Sequence, residues 1–252
     1  PKPSRTALLL NNWYLAGEEN EMNFHPEPVH LHDCDEHGSD SRAELFIVEG
    51  DSASQAVAAV RNPCFQAVLP MQGKPLNASK ASWRAVREYE FYQQAFVAFG
   101  YPQLCSAQQL QKHEARPEAC HFSKILLLFD PDADGIHCGA LMLIFLHRVF
   151  PQLIDAGMIE IVRAPLVCFD LIPAYESTAS KTLYAYLDEQ AGKLRSELDR
   201  EGYEYNQRRF RGLASMDRDT LVQTCVDLES RTAQSVTAAD AQAALAMFGG
   251  GR

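Results

Sequence analysis

The chain has 252 residues with 46% hydrophobic, 22% charged and 10% aromatic content, the balance of a globular protein and not of a disordered one. That length allows one large domain or one domain plus an appendage, not three domains. Lys and Arg total 23 against 33 Asp and Glu, a formal net charge of −10, which excludes a wholly basic nucleic-acid binder because phosphate contacts need local positive charge.

Residues 1–42 read as an irregular polar lead-in. Leu8-Leu9-Leu10 is followed at once by Asn11 and Asn12, which argues against a signal peptide. The chain opens with Pro1 and not Met, as an excised or processed piece does. His30, His32, Cys34 and His37 cluster late in this lead-in, but their spacing matches no recognised zinc pattern, so incidental or structural use is expected. Ala43 to Val48 is a short apolar run ending at Glu49-Gly50, and it predicts a strand. Ser52 to Val60 reads as a helix with Ser52 as its cap. Phe65 to Pro70 is a second apolar run, and Met71 to Lys80 a loop. Trp83 to Phe99 has helical spacing, with an aromatic face better suited to packing than to base stacking.

Lys124 to Phe129 is the strongest predicted strand, apolar throughout as a strand buried on both faces would be. It runs into Asp130-Pro131-Asp132-Ala133-Asp134-Gly135. Gly139 to Phe150 reads as a buried helix, and Ile159 to Val162 as another strand. Alternation of strands and helices predicts a parallel α/β sheet. Residues 43–175 are thus the expected domain, and 176–252 a more polar, mainly helical appendage. The longest apolar stretch, Ala140 to Leu146, is far short of the roughly 20 residues of a membrane helix, so no membrane partner is expected. Seven cysteines without a CxxC fit a reduced intracellular protein.

Glu49 closes one apolar run, and Asp130, Asp132 and Asp134 follow another. Ligands of open α/β sheets bind at the carboxyl ends of strands, where neighbouring ends converge. If the acidic loop is extended, positions i, i+2 and i+4 aim their carboxylates to one side, and Gly135 permits a sharp exit into the next helix. Crowded carboxylates repel unless a cation neutralises them. Oxygen-only donors suit Mg²⁺, which keeps one or two carboxylates and fills its shell with water and substrate phosphate. A calcium loop needs a glutamate at the twelfth position, and counting from Asp130 that residue is Leu141.

Glu49-Gly50-Asp51-Ser52-Ala53, Leu69-Pro70-Met71-Gln72-Gly73-Lys74-Pro75-Leu76-Asn77 and Asp130-x-Asp132-x-Asp134-Gly135 together resemble the TOPRIM domain of bacterial DNA gyrase B and topoisomerase IV B-type subunits. Arg209 to Met216 is similar to the family's RYKGLGEM segment, and Asp227-x-Glu229-x-Arg231-Thr232, with Val236 and Asp240, to the stretch after it. The resemblance spans about Leu31 to Phe248. It implies a Rossmann-like parallel sheet flanked by helices, and a Mg²⁺-dependent (or Mn²⁺-dependent) DNA cleavage and religation half-site. Glu49, Asp130 and Asp132 would be catalytic and metal-binding, Asp134 a supporting metal ligand, and Lys74, His137, Arg209 and Arg211 would face DNA. The implied partners are duplex DNA, an A-type subunit carrying the tyrosine nucleophile, and the ATPase region of a B-type subunit. ATP would act only through that region, which this chain does not contain, and the setting would be cytoplasmic and nucleoid-associated.

The chain also departs from the family pattern. Ser54 and Gln55 replace two glycines, Gln72 and Gly139 replace usual arginines, and Ala214-Ser215 replaces Gly-Glu. The acidic positions persist while several DNA-gripping ones do not. A diverged, non-catalytic topoisomerase-interacting protein and a stand-alone TOPRIM nuclease are therefore the alternatives.

Overall fold

The apolar runs of the first half become neighbouring strands of one sheet. The computed structural model describes residues 30–109, 115–172 and 181–249. Most of the polar lead-in and the expected boundary at 175/176 lie outside the described residues. Strand β1 (Glu44–Glu49) enters helix α1 (Gly50–Ala58), β2 (Gln66–Met71) is followed by α2 (Trp83–Glu88) and α3 (Glu90–Phe99), and β3 (Lys124–Leu127) leads to α4 (Ala133–Val149). Then come α5 (Pro151–Asp155), β4 (Ile159–Val162), β5 (Val167–Leu171), β6 (Thr182–Ala185), α6 (Asp188–Glu201), β7 (Tyr205–Arg209), α7 (Arg218–Leu221), β8 (Ala233–Ser235) and α8 (Ala238–Phe248).

The main sheet has the order β2-β1-β3-β4-β8, its first four strands parallel and β8 antiparallel to β4. Alternate residues of each strand face opposite sides. Leu45, Ile47, Leu69, Ile125 and Leu127 join Tyr92, Phe96, Phe145 and Phe150 in one core layer. Phe46, Val48, Val68, Leu126 and Leu128 meet Val57 of α1 together with Leu213, Leu221 and Val226 in the other. A second sheet, β6-β5-β7, is antiparallel and packs against α6 through Phe169, Ala191 and Leu198. The chain is therefore an α/β fold, its sheet flanked by helices as the resemblance implies.

Three local expectations change. The helix expected over Trp83 to Phe99 is broken at Tyr89, whose backbone is extended (φ −74°, ψ 119°). The break frees α3 to turn its aromatic face inward, where the Tyr92 ring stacks on Phe145 at 3.8 Å and 5°. Helix α1 begins at Gly50 with Glu49 at its cap position, so Ser52 lies inside the helix and not at its cap. The acidic loop is not extended: Asp132 caps α4 by accepting from the Gly135 N–H at 2.8 Å, so α4 starts well before Gly139 and Asp134 sits in its first turn. An unpaired N–H at a helix start draws the nearest carboxylate, and that outweighs the extended geometry the alternating aspartates suggested.

The region beyond 181 is mostly helix, yet it is knitted into the domain. Strand β8 extends the main sheet and α8 lies on α4. Arg231 forms a paired bond to Glu44 (Nη1–Oε2 2.8 Å, Nη2–Oε1 2.5 Å), both side chains nearly sealed from solvent at 7% and 4%.

Candidate metal centre

β1 and β3 are hydrogen-bonded neighbours running in the same direction, in a register that pairs Ile47 with Leu127. Two residues beyond Ile47 is Glu49, and three beyond Leu127 is Asp130. The strands lie about 4.8 Å apart, so their carboxyl ends deliver both side chains to one edge of the sheet. Glu49 and Asp130 are half-buried, whereas Asp132 and Asp134 are exposed.

Each acidic group has its own tether. Asp130 Oδ1 accepts from the Leu213 N–H at 2.8 Å. Asp132 is held by Gly135, and Asp134 pairs with Lys74 at 2.7 Å. Glu49 bonds the thiol of Cys138, a fully buried residue one turn into α4. Burial pushes the Glu49 carboxyl above its ordinary value, and the charges of Asp130, Asp132 and Asp134 push the same way against the Cys138 bond. Burial likewise raises Asp130, with Asp132 adding to it and the Leu213 N–H opposing. The Lys74 ammonium lowers Asp134. The four carboxylates thus share one electrostatic neighbourhood, but no three of them come within 4.8 Å of one another; among the described residues only Asp33, Cys34 and His37 do so, elsewhere in the fold.

This donor set fits Mg²⁺. It is rich in carboxylate oxygen, burial and neighbouring carboxylates raise two of its members in a way a divalent cation would oppose, and the ion needs only one or two carboxylates directly, with water bridging the rest.

Two glycines set the geometry: Gly135, already expected to permit a sharp exit into the next helix, and Gly212, to which the sequence reading gave no such role. A Cβ on Gly135 would lie 2.1 Å from the Asp130 carbonyl oxygen, and one on Gly212 would lie 2.5 Å from its Oδ2. The first lets the acidic loop fold tightly onto α4. The second seats the segment after β7 against the Asp130 carboxylate. The Arg-Phe-Arg-Gly run gives no sign of this contact by itself, because 83 residues separate Asp130 from Leu213, the neighbour of Gly212 that it bonds.

The basic residues expected to face DNA divide. Lys74 is drawn onto Asp134. Arg209 pairs with Asp188 of α6 at 2.6 Å, and Arg208 with Asp170 and Asp217 at 2.9 and 2.8 Å. Arg211, next to Gly212, is exposed and forms no ion pair among the described residues. His137 stacks on Phe248 of α8, ring centroids 4.9 Å apart at 22°. Gln72, standing where an arginine is usual, donates to Asp51 at 2.6 Å.

Comparison with known proteins is consistent with this architecture. The Toprim domain family matches residues 44–164. The B subunit of DNA topoisomerase 4 from Enterococcus faecalis is 32% identical over 200 residues, 79% of this chain and 27% of that protein. The B subunit of DNA gyrase from Thermus thermophilus is 32% identical over 234 residues, 93% of this chain and 35% of the relative. The novobiocin-resistant DNA gyrase B subunit of Streptomyces niveus is 33% identical over 225 residues, 88% of this chain and 31% of its own length. The chain thus spans about a third of the length of the curated relatives it matches. Residues 44–164 thus match a Toprim domain, and through that domain and the segment after it the chain is similar to the B subunits of bacterial DNA gyrase and topoisomerase IV.

Proposed function

We propose that this chain supplies the Mg²⁺-dependent DNA cleavage and religation half-site of a B-type subunit in a type II topoisomerase. The observation carrying the reading is the delivery of Glu49 and the Asp130–Asp132 pair to one sheet edge by the adjacent parallel strands β1 and β3. Mg²⁺ (or Mn²⁺), when bound, supplies stabilisation of charge on the phosphate and leaving oxygens. Glu49, Asp130 and Asp132 hold it, with Asp134 in support. Glu49, whose carboxyl burial raises above its ordinary value, would also carry a proton for the 3′-oxygen that leaves and returns.

Lys74, Arg209, Arg211 and His137 contact the DNA backbone, positioning it without reading bases. The pairs Lys74–Asp134 and Arg209–Asp188 are exposed and screened by solvent, so phosphate can replace the carboxylate partner at little cost. The nucleophilic tyrosine comes from an A-type subunit, and ATP acts through the ATPase region of a B-type subunit. The setting is the bacterial cytoplasm, at the nucleoid.

The test mixes the chain with an A-type subunit, an ATPase fragment and supercoiled plasmid. Cleavage or strand passage should need all three components and Mg²⁺. Asp130→Ala and Asp132→Ala should each weaken Mg²⁺ binding by about 10–100-fold and abolish cleavage. Plasmid nicking by the chain alone would assign a free-standing nuclease. Undiminished Mg²⁺ binding by Asp130→Ala would remove the centre from the proposal.

A further inference from the structure

The parallel sheet has a second end, opposite Glu49 and Asp130, where β1, β2 and β3 begin. The last turn of the lead-in crosses this end. Its backbone is pinned to the segments preceding both β2 and β3: Asp35 N donates to Pro63 O at 3.2 Å, Glu36 N to Cys64 O at 2.8 Å and Gly38 N to His121 O at 2.7 Å. Inside that turn Asp33, Cys34 and His37 each present a ligand atom, and the three atoms lie within 4.8 Å of one another. His37 Nε2 is 3.0 Å from Asp33 Oδ1. The site is sheltered, with Cys34 7% exposed and the side chains of His37 and Asp33 at 7% and 13%. The His37 ring packs on Phe122 (5.7 Å) and stands edge-on to His121 (6.0 Å).

We propose that Asp33, Cys34 and His37 form a Zn²⁺ site that clamps the lead-in turn to the start of the sheet. Bonds of about 2.0–2.1 Å to nitrogen and oxygen and 2.3 Å to sulfur set tetrahedral ligands roughly 3.3–3.6 Å apart. The 3.0 Å between nitrogen and oxygen therefore has to open by only a few tenths of an ångström. One sulfur, one imidazole and one carboxylate favour Zn²⁺ over Mg²⁺, the reverse of the acidic centre. On binding, the Cys34 Sγ–H bond breaks, its electron pair goes to zinc and the proton to solvent. The Nε2 proton that His37 shares with Asp33 passes to Nδ1, or to solvent from an imidazolium, so that Nε2 offers its lone pair to zinc in place of its bond to Asp33, and a water takes the fourth position. Arg61, whose guanidinium donates to Gln66 O, stands within reach of the Cys34 and Asp33 charges. The thiolate and carboxylate cancel the ion's two charges, so the bound centre beside Arg61 is neutral. Of the four residues that stand out in the sequence, the fold recruits Cys34 and His37 and adds Asp33. His32 instead joins β2 through backbone bonds to Val68.

Calorimetric titration of the full chain with Zn²⁺ in excess Mg²⁺ tests the proposal apart from the acidic centre. One equivalent should bind. Cys34→Ser and His37→Gln should each weaken it by about tenfold or more, while Cys64→Ser and Asp130→Asn should not. Co²⁺ in place of Zn²⁺ should give a thiolate charge-transfer band, lost in Cys34→Ser. Absence of Zn²⁺ binding by the wild type, a Co²⁺ complex lacking that band, or unchanged affinity in folded Cys34→Ser would each overturn the site. If the variants misfold, the wild-type Co²⁺ spectrum decides the matter alone.

Discussion

Glu49 carries an energetic conflict that a single substitution exposes. Its carboxyl is raised in the folded chain above the ordinary 4.5, through burial and three neighbouring aspartates. A carboxyl raised by folding takes up a proton as the chain folds, so its contribution to stability falls as pH rises from the unfolded value through the folded one, and above both it is a net cost. Glu49→Gln should therefore raise the melting temperature of the EDTA-treated chain at neutral pH, with the gain vanishing below about pH 4. Added Mg²⁺ should stabilise the wild type and not the variant. A wild type that melts above Glu49→Gln without metal would mean the carboxylates are too far apart to matter. Gly212 offers a steric counterpart. Gly212→Ala drives a methyl into the Asp130 carboxylate; we expect a loss of about 1–3 kcal/mol, the usual scale of overpacking, read by urea unfolding together with weaker Mg²⁺ binding.

Between elements, the strongest coupling is the pair Glu44–Arg231, with Gln66 Nε2 also donating to Glu44 at 3.0 Å. It joins the start of β1 to the segment ahead of β8, 187 residues apart in sequence. Removing one member of a buried pair leaves the other charged and unsolvated, which costs about 3–5 kcal/mol. Arg231→Met should destabilise the chain by that order in denaturant titration, and the double variant Glu44→Gln/Arg231→Met should recover much of it. If the single and double variants lose equal stability, the pair is not what fastens β8. Glu44 lies inside an apolar run that otherwise spells strand, and only the partner brought by the fold accounts for it. Tyr89 is the opposite case: the periodicity of 83–99 was legible, but the break was not, because the competing gain is tertiary, the burial of Phe91, Tyr92, Phe96 and Phe99 by α3.

Across the whole molecule, a net charge of −10 has to coexist with the proposed DNA-facing surface. Of the basic residues assigned to it, Lys74 and Arg209 are engaged with carboxylates. DNA affinity in the assembled complex should fall steeply with salt, and Arg211→Ala should flatten the log–log slope by about one unit without changing sequence preference. An unchanged slope would place Arg211 away from phosphate. The segment after Asp227 is equally a property of the whole. Deleting residues 228–252 opens the β4 edge, strips α8 from α4 and leaves Glu44 unpaired; the product should aggregate on size-exclusion chromatography. A monodisperse, folded truncation would show the segment to be a separable appendage.

The sequence by itself determined the parallel α/β class, the strand ends bearing Glu49 and Asp130, and the resemblance to Toprim proteins. These rest on short-range signals: unbroken apolar runs, acidic residues directly after them, and motifs in a set order. It did not determine the clamp of Gly212 and Leu213 on Asp130, the approach of Cys138 to Glu49, or the pairing of Glu44 with Arg231. The tertiary structure decided those, because an unpaired N–H, a half-buried carboxylate and a polar side chain sealed from water each take whichever partner the fold brings within reach. Distance along the chain carries no record of that choice.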